Sequence, residues 1–338
     1  MSQTIFPVLS MHREDVCWEE AIWDLTPVEN RSGVWFKRED YFAPLGYGGP
    51  NGSKLRQLIW LMNRQRTGKT HVLSGASVKS PQLSMSTIVG AHYGLPTRLV
   101  IGATTPESAV KHPNVRIAKA FGAELDIIKV AYNPALQRRV RDLAQPDSLV
   151  VEYGITMEHT KHPPEDVLLF HRVGASQVRN IPDEVRQLII PAGSCNSLTS
   201  ILLGLALYEN PVKVLRTYGI GPDKMAWVKA RCDILSTVAG VDVWGHAKSL
   251  YWSHNNLQDR GFTNYQMEMP ESWLGIDFHP TYEGKVIRWL KNHENLDLHE
   301  GTMFWIIGSK PDPEVILPFS EDYKHVSLHQ RAASWAQH

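Results

Sequence analysis

Along the chain, short apolar runs alternate with stretches whose apolar residues recur every three or four positions. The runs at 98–101, 126–130, 149–152, 188–190, 212–218 and 303–307 read as short buried strands. Their alternation with helical spacing predicts parallel α/β layers. After Asn51-Gly52-Ser53, the residues Leu55, Leu58, Ile59 and Met62 mark one helix face, with Gly68 as its stop. Lys54 therefore stands at a helix entrance. Ser80-Pro81 announces a second helix, with serine at the N-cap and proline at the first helical position, ending near Gly94. A third follows the apolar stretch 188–192 and the loop 193–197, and runs on through Ile201, Leu202 and Leu205. There is no internal repeat or low-complexity segment, and the Pro- and His-rich stretch 158–164 is the best linker candidate.

Composition narrows the classes. With 338 residues, 43% hydrophobic and 21% charged, the chain suits about two globular domains. Lys plus Arg and Asp plus Glu both total 35, so no long-range field favours DNA or a membrane, which leaves only local basic patches for nucleic acid. The segment 1–14 lacks the basic start and apolar run of a secretion signal, and no stretch nears 18 apolar residues, so a cytoplasmic location is expected. Cys17, Cys195 and Cys232 are too few and too scattered for a disulfide framework or zinc site. Of the 15 histidines, none falls in an H-E-x-x-H pattern, and no metal is expected. Arg138, Arg139 and Arg141 read as a solvated helix face, and Trp60, Trp227, Trp289 and Trp305 as core or interface filling.

Two segments are candidates for chemistry. Gly193-Ser194-Cys195-Asn196-Ser197 leads from a strand into a helix, where free N–H groups and the positive helix end can cradle a phosphate; an ordinary tight turn has the same composition. It follows neither the dinucleotide fingerprint nor the Walker pattern, and Gly52-Ser53-Lys54 lacks the P-loop spacer. Lys54 alone fits either a solvated first-turn lysine or a reactive amine.

Context decides between these readings. Phe36-Lys37-Arg38-Glu39-Asp40 followed by Gly48-Gly49-Pro50-Asn51-Gly52-Ser53-Lys54-Leu55-Arg56 resembles the cofactor-lysine region of aminocyclopropane-carboxylate deaminases and D-cysteine desulfhydrases, which are fold-type II pyridoxal-phosphate (PLP) enzymes. In that family K-R-D/E-D precedes G-G-N-K-x-R-K-L, and the lysine holds PLP as an imine. In the same order, residues 190–197 resemble the phosphate loop V-P-x-G-S-x-G-T, with Asn196 in place of a glycine. Asparagine tolerates a left-handed backbone, so the loop shape is expected to survive. Residues 280–285 resemble D-P-x-Y-x-G-K, which implies Tyr282 beside the cofactor and Glu283 at the pyridine nitrogen, and 302–309 resemble the strand and turn that close the site.

The substrate loop G-G-x-Q-S-N-x-x-R departs. Ser80 keeps the serine, Lys79 replaces the glutamine, and Pro81 replaces the asparagine that meets the ring hydroxyl in the family; Gln82 is the expected substitute. The 255–279 region is short, and Tyr265 is a weak match for a second active-site tyrosine.

The resemblance implies an α/β, two-domain fold-type II enzyme. Its large PLP-binding domain spans 1–58 and 167–338, its small mobile domain spans 59–166, and it forms a homodimer. Lys54, Ser80 and Tyr282 are the expected catalytic residues. Asn51, Lys54, Gln82, Gly193, Ser194, Cys195, Asn196, Ser197 and Glu283 are expected to bind PLP, with the N–H groups and hydroxyl at 80–82 receiving a substrate carboxylate. The main functional expectation is a lyase or deaminase acting on a small amino acid through an external imine. The altered 80–82 loop also admits a decarboxylase or C–C or C–N lyase acting on an amino acid attached to something larger, such as a modified nucleotide or DNA base. A third reading is a PLP-binding homologue without catalysis.

Overall fold

The computed structural model describes residues 17–320 apart from 131, 295, 297 and 299, so the 1–14 segment lies outside the described residues. The strands are β1 (Val28–Arg31), β2 (Val34–Arg38), β3 (His71–Ala76), β4 (Thr97–Gly102), β5 (Glu124–Ile128) and β6 (Ser148–Val151) in the first half. In the second half they are β7 (Gln187–Ala192), β8 (Val214–Gly219), β9 (Tyr251–Asn256), β10 (Glu271–Trp273), β11 (Ile276–Phe278) and β12 (Thr302–Ile306). One sheet has the order β1-β2-β12-β7-β8-β9 and another the order β5-β4-β3-β6. Every pairing in the four-stranded sheet is parallel. In the six-stranded sheet only the β1–β2 hairpin is antiparallel. Ser32 and Gly33 turn that hairpin with φ of 52° and 86°, the left-handed pair a tight two-residue turn requires. The expected α/β layers are present.

Parallel sheets need cover on both faces, and the helical spacing supplies it. The helix Asn196–Leu207 buries Leu198, Ile201, Leu202 and Leu205 and packs on the helix Pro164–Ala175. The helix Ser53–Gln65 contributes Leu55, Leu58 and Met62 to one buried cluster that also holds Leu188 and Ile190 of β7 and Val72, Leu149 and Val151 of the other sheet. Both sheets therefore share a core through this helix. Its first turn, with Lys54, lies where the carboxyl ends of β3, β7 and β12 converge, the usual place for a site in open α/β sheets. Among the described residues, no helix is long and apolar enough to cross a membrane.

Candidate active site

Lys54 is placed by its neighbours. Gly52 has φ of 96°, and a Cβ there would lie 2.3 Å from the Ile307 carbonyl oxygen, so only glycine lets the helix start dock on the turn after β12. Ser53 N–H donates to that same oxygen at 3.0 Å. Asn51 Oδ1 accepts from Ser309 N–H at 2.8 Å, while its Nδ2 donates to Gly49 O at 2.6 Å and Ser309 Oγ at 2.9 Å. Asn51 thus lines the cavity, but its amide is committed to the turn. Behind the helix, Arg38 pairs with Asp40 at 2.7 Å and with Glu29 at 2.9 Å, and Arg56 faces Glu39 at 3.4 Å, all of them buried. The Lys-Arg-Glu-Asp stretch is scaffold, not site.

The phosphate-loop candidate is a strand, a tight turn and a helix, as its sequence suggests. One expectation needs correction. The left-handed residue is Cys195, with φ of 67°, not Asn196. Asn196 is already the first residue of the helix, and its Nδ2 donates to Gly154 O at 2.9 Å, Ile155 O at 3.0 Å and Thr156 Oγ1 at 3.2 Å. It ties the turn to the segment following β6. The hydroxyls of Ser194 and Ser197 are buried with no hydrogen-bond partner among the described residues. Burial pushes the Cys195 thiol up to about 11, which keeps it neutral.

The segment 279–285 carries the third group. At Gly284 a Cβ would lie 2.2 Å from Met269 O, so this glycine lets the preceding loop close over the site. Lys285 Nζ donates to Asn264 O at 2.7 Å and holds the loop there. That loop delivers Tyr265, whose hydroxyl is 2.9 Å from the Tyr282 hydroxyl. Tyr265 lines the cleft, and the family resemblance gave only a weak match for it. Burial raises Tyr265 to about 12 and Tyr282 well above the usual tyrosine range, so both keep their protons. Glu283 is fully buried. Its Oε1 accepts from Ile307 N–H at 2.9 Å, its Oε2 has no partner among the described residues, and burial pushes the carboxyl up to about 8.

The loop at 80–82 differs from expectation. The helix begins at Gln82 with Pro81 at the N-cap, one residue later than expected, and Ser80 Oγ accepts from Gln82 N–H at 3.3 Å. Gln82, however, faces away from the cavity. Its Nε2 donates to Ser74 Oγ at 3.0 Å and Glu152 O at 3.1 Å, and its Oε1 accepts from Gly154 N–H at 2.8 Å. It cannot substitute for a cofactor-ring contact, because these groups use both ends of its amide. Nor do the loop's N–H groups await a carboxylate: Ser80 N–H donates to Ser77 O at 2.8 Å and Gln82 N–H to Ser80 Oγ, while Pro81 has none. Ser80 lines the cleft and Pro81 the adjoining cavity.

Lys54, Pro81, Gly193, Ser194, Tyr282 and Glu283 line one cavity of about 600 Å³. Through Lys54, Gly193, Ser194 and Tyr282 it joins an open cleft of about 1140 Å³ that adds Ser80, Tyr132, Tyr153, Lys224 and Tyr265. Burial and the nearby Lys224 ammonium hold the Lys54 amine down to about 8. Lys224 lies 5.5 Å from the centre of the Tyr153 ring. No pattern in the sequence marks it, because it lies in a loop just ahead of the helix Met225–Ala239. The orphaned serine hydroxyls, the orphaned carboxylate oxygen and the low-pKa amine in one cavity fit a phosphate, a pyridine nitrogen and an aldehyde.

No protein-family model matches the chain. The O-seryl-dTMP PLP-dependent decarboxylase of Salmonella phage ViI is 37% identical over 369 aligned positions, covering 91% of this chain and 87% of that protein. The crystal structure of an ACC deaminase homologue superposes with a TM-score of 0.63 at 17% identity, covering 87% of this chain and 88% of that one. Maize serine racemase gives a TM-score of 0.52 at 13% identity, covering 90% of this chain and 93% of that one. These two likenesses establish the fold, and the phage relative establishes the kinship. The chain belongs to the fold-type II PLP-dependent enzymes, in the family of the phage decarboxylase.

Proposed function

We propose that the chain is a PLP-dependent decarboxylase acting on an amino acid carried by a nucleotide, as the name of its phage relative describes for that protein. What carries this reading is the cleft beyond Lys54. It opens to solvent beyond the Lys54 cavity, which leaves a path for a bulkier group on the amino acid, and Lys224, Tyr132 and Tyr153 line it. A cation beside aromatic rings suits a phosphate and a base.

The 80–82 loop supports loss of CO2. A carboxylate held by several donors is stabilised in the ground state, which opposes its departure. Here the Ser80 and Gln82 N–H groups are spent within the loop and Pro81 has none, which leaves this loop few donors for a carboxylate.

In this reading Lys54 holds the cofactor, Ser194, Ser197 and the helix N-terminus hold its phosphate, and Glu283 meets its pyridine nitrogen. Bound PLP supplies the electron sink for the pair left when the bond from the α carbon to the carboxylate breaks. Lys54, with its amine near 8, is the group able to carry the replacing proton at neutral pH. Tyr282 and Tyr265, which keep their protons, orient the substrate through their paired hydroxyls.

The test is to incubate the PLP-loaded protein with O-seryl-thymidylate, aminocyclopropane carboxylate, D-cysteine and L-serine. Mass spectrometry is expected to show loss of CO2 from the nucleotide alone. Ordinary turnover of a free amino acid, with none of the nucleotide, restores the lyase or deaminase reading.

A further inference from the structure

His279 also faces the cofactor cavity, and none of the roles above uses it. Its ring is buried and set edge-on to Tyr282, with centroids 4.7 Å apart. Nδ1 accepts from the Thr281 backbone N–H at 3.1 Å. That bond fixes the chemistry of the other nitrogen. An Nδ1 that accepts carries no proton, so the neutral ring has its hydrogen on Nε2. Turning the ring over would leave the buried Thr281 N–H against a carbon, which disfavours the reverse orientation. Burial keeps the ring neutral, with its pKa down to about 3. Nε2–H is therefore a buried donor, and it has no acceptor among the described residues. Buried donors are seldom left unsatisfied without a functional reason.

The acceptor follows from matching the groups in the cavity with those of the cofactor. A pyridoxal ring carries its phosphate arm on one side of the aldehyde carbon and its phenolic oxygen on the other. The orphaned Ser194 and Ser197 hydroxyls suit the phosphate, and the Glu283 carboxyl suits the ring nitrogen. The phenolic oxygen remains, and it is an acceptor. His279 shares this cavity with the phosphate loop and also borders a separate pocket lined by Val78, Lys79, His112 and Lys310 and by no residue of that loop. Pro81, which lines the same cavity, offers no donor.

We infer that His279 is a cofactor-binding residue whose Nε2–H donates to the phenolic oxygen of the pyridoxal ring. The inference stands on the cofactor alone and holds whichever substrate is turned over. Its test reads the resting holoenzyme. In protein labelled with 15N-histidine, the His279 ring N–H signal, assigned by its loss in His279→Gln, is expected to move downfield when the apoprotein takes up PLP. His279→Leu is expected to shift the visible absorbance maximum and weaken cofactor binding about tenfold, while His279→Gln, which can still present a donor, stays within about threefold of the parent. An unmoved ring signal overturns the inference. So does a His279→Leu variant with unchanged resting spectrum and cofactor affinity and a raised KM only, since that outcome assigns the donor to the substrate carboxylate.

Discussion

In the proposed function Lys54 is the residue on which the chemistry turns, and its environment sets its reactivity. An unperturbed lysine amine is almost wholly protonated at neutral pH, whereas burial and Lys224 bring this one to about 8. Only the neutral amine attacks an aldehyde. The rate of cofactor uptake by the apoprotein is therefore expected to rise about tenfold per pH unit up to about 8 and level off above it, followed by growth of the visible band. A rise continuing to pH 10 speaks for an unperturbed lysine. Lys54→Ala should abolish borohydride-trapped attachment and lower activity by about 10³-fold or more. That Lys54, Tyr282 and Glu283 come together in one cavity was legible because each stands inside a contiguous motif. His279 and Lys224 were not, and Tyr265 only weakly, because their placement arises from tertiary contacts: a tautomer set by Thr281, a ring at Tyr153 and a loop held by Lys285.

At the scale of elements, the site depends on how closely two backbone segments approach. Gly52 must keep its positive φ and leave room for Ile307 O, so Gly52→Ala is expected to destabilise the protein by about 3 kcal/mol and to weaken cofactor retention. Thermal melts and cofactor dialysis check both. Glu39→Ala leaves the Arg56 guanidinium buried without its carboxylate, at a cost of about 3 kcal/mol, with cofactor contacts untouched. Five of the six apolar runs were legible as strands because they lie in parallel sheets and are largely buried, and the sixth, β5, is a half-buried edge strand that keeps an apolar stretch. Other strands escaped for physical reasons. β3 contains Ser74 and Gly75: Ser74 Oγ is satisfied internally by Gln82, and a Cβ on Gly75 would crowd Val140 at 2.6 Å. β9 lies at the sheet edge with alternate residues exposed, and β2 buries Lys37 and Arg38 where an apolar pattern was sought.

For the whole molecule, the two sheets meet over a cavity that continues into a larger cleft, and that continuity separates the proposed function from its rivals. Lys224→Ala is expected to raise KM for a nucleotide-linked substrate about tenfold while leaving the resting cofactor spectrum unchanged. A change in cofactor affinity with KM unchanged would instead assign Lys224 to the PLP phosphate. The measurement that bears most directly on the whole account is mass mapping of the holoenzyme after borohydride reduction and proteolysis. The account predicts the phosphopyridoxyl mass on the peptide containing Lys54. Finding it on another cleft lysine, such as Lys224, or on none, would contradict it.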